Sequence, residues 1–398
     1  MRIAYFDFVV HFGGAQKATV QMAERLARHH EVHMIDAFGT SALYHAALRR
    51  SNLPTHVLAP EVPRPYVGMR HSRIRRMAGF ARHAVDMLAV QRRLAALARR
   101  IGLDLVWTNG IKGLLQFGPS TRLQDLIVAY YMHGEYAPRM VTPLARWLLS
   151  RRTDVLMAVS TATAANVRRA GVSGPEVRVV YNPIDVAAML GRSGQLSGGE
   201  LPQQGRRPWI LMPATLLPGK GQTHAIKAMA CLAAQRMGGT LWLAGDATTP
   251  EARTYVRTLR EQMALLGLTD SVFFLGWRAD LPAVMARADI VILPSLTEGL
   301  PLAIMESLAL AKPVVASDVG GIGDLVLHEQ TGLLVPPGDP EALAGAIARM
   351  AGDPVVAGRM ALAGQKRMQT VFSPDRHTQR MLEAFDAAAG HRRRRKGR

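Results

Sequence analysis

One pattern constrains this chain more than any other. Short apolar runs end in small or polar turns, lead into helical periodicity, and repeat on both sides of a polar seam. Residues 3–10 are apolar with aromatic and β-branched content, suited to a strand buried in a parallel sheet. Gly13-Gly14 follows, and residues 15–30 carry helical periodicity through Ala18, Met22, Leu26 and Ala27. Residues 32–35, 103–107, 126–131, 155–159 and 177–181 read as further strands, with Ser160-Thr161 as a helix cap. The seam is residues 191–208, GRSGQLSGGELPQQGRRP, whose Gly, Ser, Gln and Pro give linker composition. Beyond it the alternation restarts, with strands at 209–212, 240–244, 272–275, 290–293 and 313–316. This predicts an α/β protein of two doubly wound domains, 1–190 and 209–372, on either side of the linker. Ligands in such sheets bind at the carboxyl ends of strands, so two facing domains predict a cleft. A helix over 373–390 is expected to pack back towards the N-terminal domain, followed by a disordered basic tail at 391–398.

Charge supplies the next constraint. The 398 residues carry a formal charge of +19, and 48% are hydrophobic, which is globular composition. The excess is local. Residues 62–100 hold ten Arg against the single acid Asp86, and residues 391–398 hold six basic residues and no acid. Such clusters suggest an anionic partner: a membrane surface, a nucleic acid or a phosphorylated substrate. Over residues 70–100 the apolar positions Ile74, Met77, Phe80, Val85, Leu88, Leu94 and Leu97 predict an amphipathic helix, with Arg on its other face. Nucleic acid is the disfavoured partner, since no RNP motif, zinc spacing or basic zipper is present. The lone Cys231 excludes an intramolecular disulfide and a cysteine metal cluster, and fits a reducing compartment. No apolar run approaches the ~20 residues of a membrane span. The N-terminus reads as a strand, so the expectation is a cytoplasmic protein, at most peripheral on the cytoplasmic face of the inner membrane.

Five turns carry candidate chemistry. The segment 298–307, EGLPLAIMES, follows the strand at 290–293. Pro301 suits a first helical turn, where its missing N–H is not needed. Leu302, Ala303 and Ile304 then offer backbone N–H groups at a helix N-terminus, an anion site suited to a diphosphate. Glu298 precedes this helix and Glu306 lies inside it. Carboxylates beside phosphate are unfavourable unless they accept hydrogen bonds from ligand hydroxyls, as from a sugar on one side and a ribose on the other. The plainer reading makes Glu298 a capping acid and Glu306 an exposed helix residue. In Pro218-Gly219-Lys220-Gly221-Gln222, glycines allow close approach and Lys220 supplies a point charge for phosphate, or is simply a turn lysine. The first turn, His11-Phe12-Gly13-Gly14-Ala15, lacks the GxGxxG fingerprint, so a nicotinamide cofactor is not supported. It admits a phosphate or is a plain tight turn. His133-Gly134-Glu135 and Gly320-Gly321-Ile322-Gly323-Asp324 also close strands.

Together these residues resemble a known family. EGLPLAIME, the preceding LPS, VASDVGG, GLLVPPGDPEAL, YNPID at 181–185 and GGAQ at 13–16 resemble the retaining glycosyltransferases of family 4, which have the GT-B fold. The likeness covers most of the chain. It implies a hexosyltransferase that moves sugar from a nucleoside diphosphate sugar to an acceptor hydroxyl, generally without a bound metal or other cofactor. By position, Glu298 would hold the donor sugar near the reacting face and Glu306 the ribose. Lys220 would neutralise the diphosphate, and Gly14 would let the N-terminal domain approach the phosphate. His133 would contact the sugar. Asp280, after Gly276-Trp277, is a candidate for the base. The N-terminal domain would receive the acceptor, a lipid-linked or cell-surface glycan in polysaccharide or lipopolysaccharide biosynthesis. Two departures stand out. Thr215 occupies the position of the family's usual phosphate-binding Arg, and Asp324 stands where glutamate is common. A GT-B-type sugar-nucleotide epimerase or phosphorylase is the rival, distinguished by acceptor-free conversion of the nucleotide sugar.

Overall fold

The structure, a computed structural model, describes residues 1–9, 14–60, 73–117, 126–134, 138, 141–194, 196–197, 201–202 and 206–396. It excludes the side chains of 14–15, 17, 73–84, 391 and 393–396. Residues 10–13 of the first turn, 62–72 of the basic segment, Glu135 and part of the polar seam therefore lie outside the described residues, as do the side chains of Ile74, Met77 and Phe80. The chain divides into two compact units. The first holds 1–158, 164–180 and 378–398; the second holds 159–163 and 181–377.

The first unit alternates strictly: β1 (Arg2–Asp7), α1 (Gly14–Leu26), β2 (Glu31–Asp36), α2 (Ala42–Ser51), β3 (Thr55–Val57), α3 (Arg73–Ile101), β4 (Leu105–Thr108), α4 (Ile111–Leu114), β5 (Ile127–Met132), α5 (Pro143–Arg152), β6 (Val155–Ala158), α6 (Thr161–Arg169) and β7 (Glu176–Val179). Its strands form one sheet in the order β3-β2-β1-β4-β5-β6-β7, with every pairing parallel. β5 is buried at every position, which is why it reads as an unbroken apolar run. Ser160 caps α6 as expected, its Oγ accepting the Thr163 N–H at 3.1 Å.

The second unit begins with α7 (Val186–Arg192) and continues with β8 (Trp209–Pro213), α8 (Gln222–Ala234), β9 (Thr240–Ala244), α9 (Pro250–Leu265), β10 (Val272–Gly276), α10 (Leu281–Arg287), β11 (Ile290–Leu293), α11 (Leu302–Ala309), β12 (Val314–Ser317), α12 (Ile322–Leu325), β13 (Leu333–Val335), α13 (Pro340–Gly352) and α14 (Pro354–Val371). The strand order is β10-β9-β8-β11-β12-β13, again with parallel pairing. The order reverses between β1 and β4 in the first sheet and between β8 and β11 in the second. These are the switch points whose carboxyl ends open a crevice.

Three expectations shift. The division falls at Tyr181, not after 190, because α7 packs against α10, α11 and α14 of the second unit. The last helix, α15 (Pro374–Lys396), runs through the tail expected to be disordered. From Thr378 onward it belongs to the first unit, where Phe385 meets Trp107 at 6.2 Å between ring centroids. On α3 the buried stripe is Val90, Leu94 and Leu97, while Val85 is 65% and Leu88 53% exposed. At about 100° per residue, Val85 lies half a turn around the helix from Leu94, so the two cannot share a face.

Candidate functional site

The second unit's switch point is built from two loops pressed together. After β8 the chain makes a short helical turn, Pro218–Lys220, ending at Gly221 with φ +81°. A side chain at Gly221 would overlap the Pro294 carbonyl oxygen, just past β11. The Leu296 N–H donates to the Gly219 carbonyl at 2.9 Å, joining the loops. Gln222 Nε2 braces the first loop by donating to the Thr215 carbonyl at 2.9 Å.

That closeness brings together residues far apart in sequence. Lys220 Nζ donates to Glu298 Oε1 at 2.7 Å, and Ser295 Oγ donates to the same oxygen at 2.8 Å. Glu298 and Ser295 are buried, whereas the lysine is half-buried. The loop behind Glu298 is held from the other side. Gly320, at φ +55°, lies against the Glu298 carbonyl, and Gly321 against that of Gly299. These glycines let backbone approach backbone on that side.

α11 starts immediately after this carboxylate. Pro301 is its N-cap, one position earlier than the first-turn placement expected, with φ −71° and ψ 118° and no side-chain cap. The first N–H groups of the helix, from Leu302 and Ala303, are free of such a cap, which leaves an electropositive end. Leu302 is exposed and Ala303 half-buried. Further along, Glu306 is half-buried, and no hydrogen bond reaches its carboxylate among the described residues. Burial pushes its pKa up, and the nearby Arg192 opposes that shift. A cation on the first loop thus meets a carboxylate on the second, which leads into an open helix end and a further carboxylate of different environment. The arrangement suits a ligand with an anionic centre and hydroxyl groups.

Residues 12–188 match the model of Glycosyltransferase Family 4, and residues 207–353 that of Glycosyl transferases group 1. A GDP-mannose-dependent alpha-(1-6)-phosphatidylinositol monomannoside mannosyltransferase of Mycobacterium tuberculosis is 29% identical over 73% of this chain and 79% of its own length. The lipopolysaccharide core biosynthesis glycosyltransferase LpsD of Rhizobium meliloti is 33% identical over 38% of this chain and 43% of its own. The crystal structure of HepE from Anabaena in complex with UDP superposes with a TM-score of 0.77 at 24% identity. The overlap covers 97% of this chain and 100% of that one. The chain belongs to glycosyltransferase family 4. Its two parallel-sheet units make it a GT-B protein, and it is a hexosyltransferase.

The remaining expected residues of this glycosyltransferase divide between the units. Lys220, Glu298, Leu302, Ala303 and Glu306 belong to the second, as does Thr215, whose side chain is exposed. Gly14 opens α1 in the first unit. His133 lies just past β5, also in the first unit, with its ring 4.2 Å from that of Tyr131. Asp280 is a correction. It is buried, and Arg278 Nε and Nη2 donate to its two oxygens at 2.8 Å each. The Ser197 N–H adds a third bond at 2.6 Å. This carboxylate ties the polar seam to α10 and is not open to a base. Arg278 is held in the same clamp, so it does not replace the arginine missing at Thr215. Asp324 has a structural task as well: its oxygens accept the N–H and hydroxyl of Thr161, each at 2.7 Å.

Sequence reasoning passed over a second polar cluster, at the first unit's switch point. Tyr5 Oη donates to Asp7 Oδ2 at 2.6 Å at the end of β1, and Asn109 Nδ2 after β4 donates to Tyr5 Oη at 3.3 Å. Burial raises the Asp7 pKa, against the lowering effect of hydrogen bonds from Tyr5 and the Phe8 N–H. The available signal was an acid closing the first strand.

Proposed function

We propose that this glycosyltransferase transfers a hexosyl group from a nucleoside diphosphate sugar to an acceptor hydroxyl with retention of configuration. The observation that carries the reading is the Lys220–Glu298–Ser295 cluster beside the uncapped end of α11. In the reaction the bond from the anomeric carbon to the diphosphate oxygen breaks. The acceptor oxygen bonds to that carbon on the same face, and its proton passes to the departing diphosphate. Lys220 and the α11 N–H groups stabilise the charge that develops on the leaving group. Bound diphosphate draws Lys220 away from Glu298, while Ser295 continues to orient that carboxylate towards sugar hydroxyls. Glu306 accepts ribose hydroxyls. The chemistry is complete without a metal ion or other cofactor.

The acceptor in this proposal is a lipid-linked or cell-surface glycan, received by the first unit at a membrane surface. The mannosyltransferase named for phosphatidylinositol monomannoside and the lipopolysaccharide core enzyme support that class. Among the described residues no helix is long and apolar enough to cross a membrane, so the enzyme would dock peripherally.

Lys220→Ala tests the reading directly. Nucleotide release from a panel of nucleoside diphosphate sugars should fall about 100-fold or more, the scale seen when a group stabilising transition-state charge is removed. Near-normal turnover would overturn the phosphate role.

A further inference from the structure

Three helices of the first unit share one face of its sheet. Val90, Leu94 and Leu97 of α3, Leu114 of α4 with Phe117 just after it, and Leu148 and Leu149 of α5 join a single core cluster. They are also tied to one another at their edges. Gln91 Nε2 of α3 donates to the Gln116 carbonyl at 3.3 Å, and Arg152 Nη1 of α5 donates to the Phe117 carbonyl at 3.2 Å. Their inward faces therefore pack on one core, and other side chains of the same helices face outward.

Those outward side chains have an unusual composition. Val85 and Leu88 on α3, Leu115 after α4, and Leu144 and Trp147 on α5 are all large, apolar and exposed. Leu144 is 58% and Trp147 48% exposed. The sequence PLARWLLSRR gives α5 three arginines and no acid. Leu144, Trp147 and Arg151 fall at positions i, i+3 and i+7, on one stripe. The Arg152 guanidinium lies over the Trp147 ring at 5.0 Å, so cation and indole sit together. Lys112 on α4 adds a further exposed cation. An indole and leucine flanked by arginines suit the headgroup boundary of an anionic bilayer. There the rings and aliphatic side chains enter the acyl edge and the guanidinium groups meet lipid phosphate. A protein partner buried over the same area would leave these arginines needing paired acids.

We propose that the outer face of α3, α4 and α5, centred on Leu144 and Trp147, docks on an anionic lipid surface. This deepens the membrane part of the proposed function and does not depend on the transfer chemistry.

The test is co-sedimentation of the full chain with vesicles of phosphatidylcholine alone or mixed with phosphatidylglycerol, at low and high salt. The protein should bind the anionic vesicles and release at high salt. The double substitution Leu144→Glu with Trp147→Glu should weaken binding about tenfold or more. Leu265→Glu, at an exposed leucine of α9 in the second unit, should leave it unchanged. Donor turnover and circular dichroism of the variants establish that they are folded. Unchanged binding by the double variant overturns this surface while leaving membrane docking to another region. Absence of binding by the wild-type protein overturns both. If the double substitution instead converts a dimer to a monomer, the face is an interface between copies and the proposal fails. A second readout avoids introduced charge. In the Trp277→Phe protein, brominated lipid should quench indole fluorescence, and adding Trp147→Phe should remove that quenching. Quenching that is absent, or that survives the second substitution, overturns the proposal.

Discussion

The two switch points share a topology and differ in charge. In the second sheet, the loops after β8 and β11 carry a cation, Lys220, onto a buried carboxylate beside an uncapped helix end. In the first sheet, the ends of β1 and β4 carry Asp7 bonded to the neutral Tyr5 hydroxyl, with Asn109 behind it and, among the described residues, no cation in these bonds. Parallel sheets leave a crevice wherever strand order reverses, whatever the sequence. The residues placed there decide what enters. One crevice is furnished for an anion with hydroxyl groups. Among the described residues the other offers hydroxyl, amide and carboxyl partners, which suits an uncharged polyhydroxy group.

The sharpest way to break this contrast is to disturb the backbone behind Glu298. Gly320→Ala places a methyl group on the Glu298 carbonyl and also strains a positive φ. Gly267→Ala strains a similar φ of +65° with no atom within 4 Å. Urea unfolding should show the first variant less stable than the second by about 1–3 kcal/mol, the scale of an over-determined strained site. Equal midpoints would mean the loop yields, and the rigid placement of Glu298 would be lost with it. Asp7→Asn probes the other crevice. Transfer to acceptor should fall about tenfold through a higher acceptor KM, with nucleotide affinity unchanged. A matching loss of nucleotide affinity would give both crevices one role and end the contrast.

Much of this was legible in the chain. Parallel strands buried on both faces appear as plain apolar runs, and the turns that follow two of them hold Lys220 and Glu298, which the structure brings together. The pairing of Lys220 with Glu298 was not legible. The two are 78 positions apart, and they meet only because β8 and β11 are neighbours. Asp280 was misjudged for a related reason: its partner Arg278 is nearby in sequence, but the N–H of Ser197 that completes the clamp is not. The exposed Val85 and Leu88 escaped because a long helix accepts more than one apolar stripe, and only the packed sheet selects the one that is buried.

Glu306 offers the finest test of the contrast, because its ligand-free state is itself uncomfortable. Burial raises its pKa, so the folded protein holds this proton to higher pH than the unfolded chain does. Unfolding then releases a proton in the window above the ordinary carboxylate value of ~4.3, and stability falls as pH rises through it. Glu306→Gln removes that ionisation, so the pH dependence of unfolding should flatten and the ligand-free protein should gain stability at neutral pH. The same substitution should weaken nucleotide binding about tenfold, or ~1.4 kcal/mol, because a charged acceptor for ribose hydroxyls becomes neutral. Opposite signs for stability and affinity are the signature of a carboxylate kept for its ligand. If the variant gains stability and binds nucleotide as before, Glu306 is merely a poorly solvated helix residue. The anion-and-hydroxyl character of the second crevice would then rest on Glu298 and Lys220 alone.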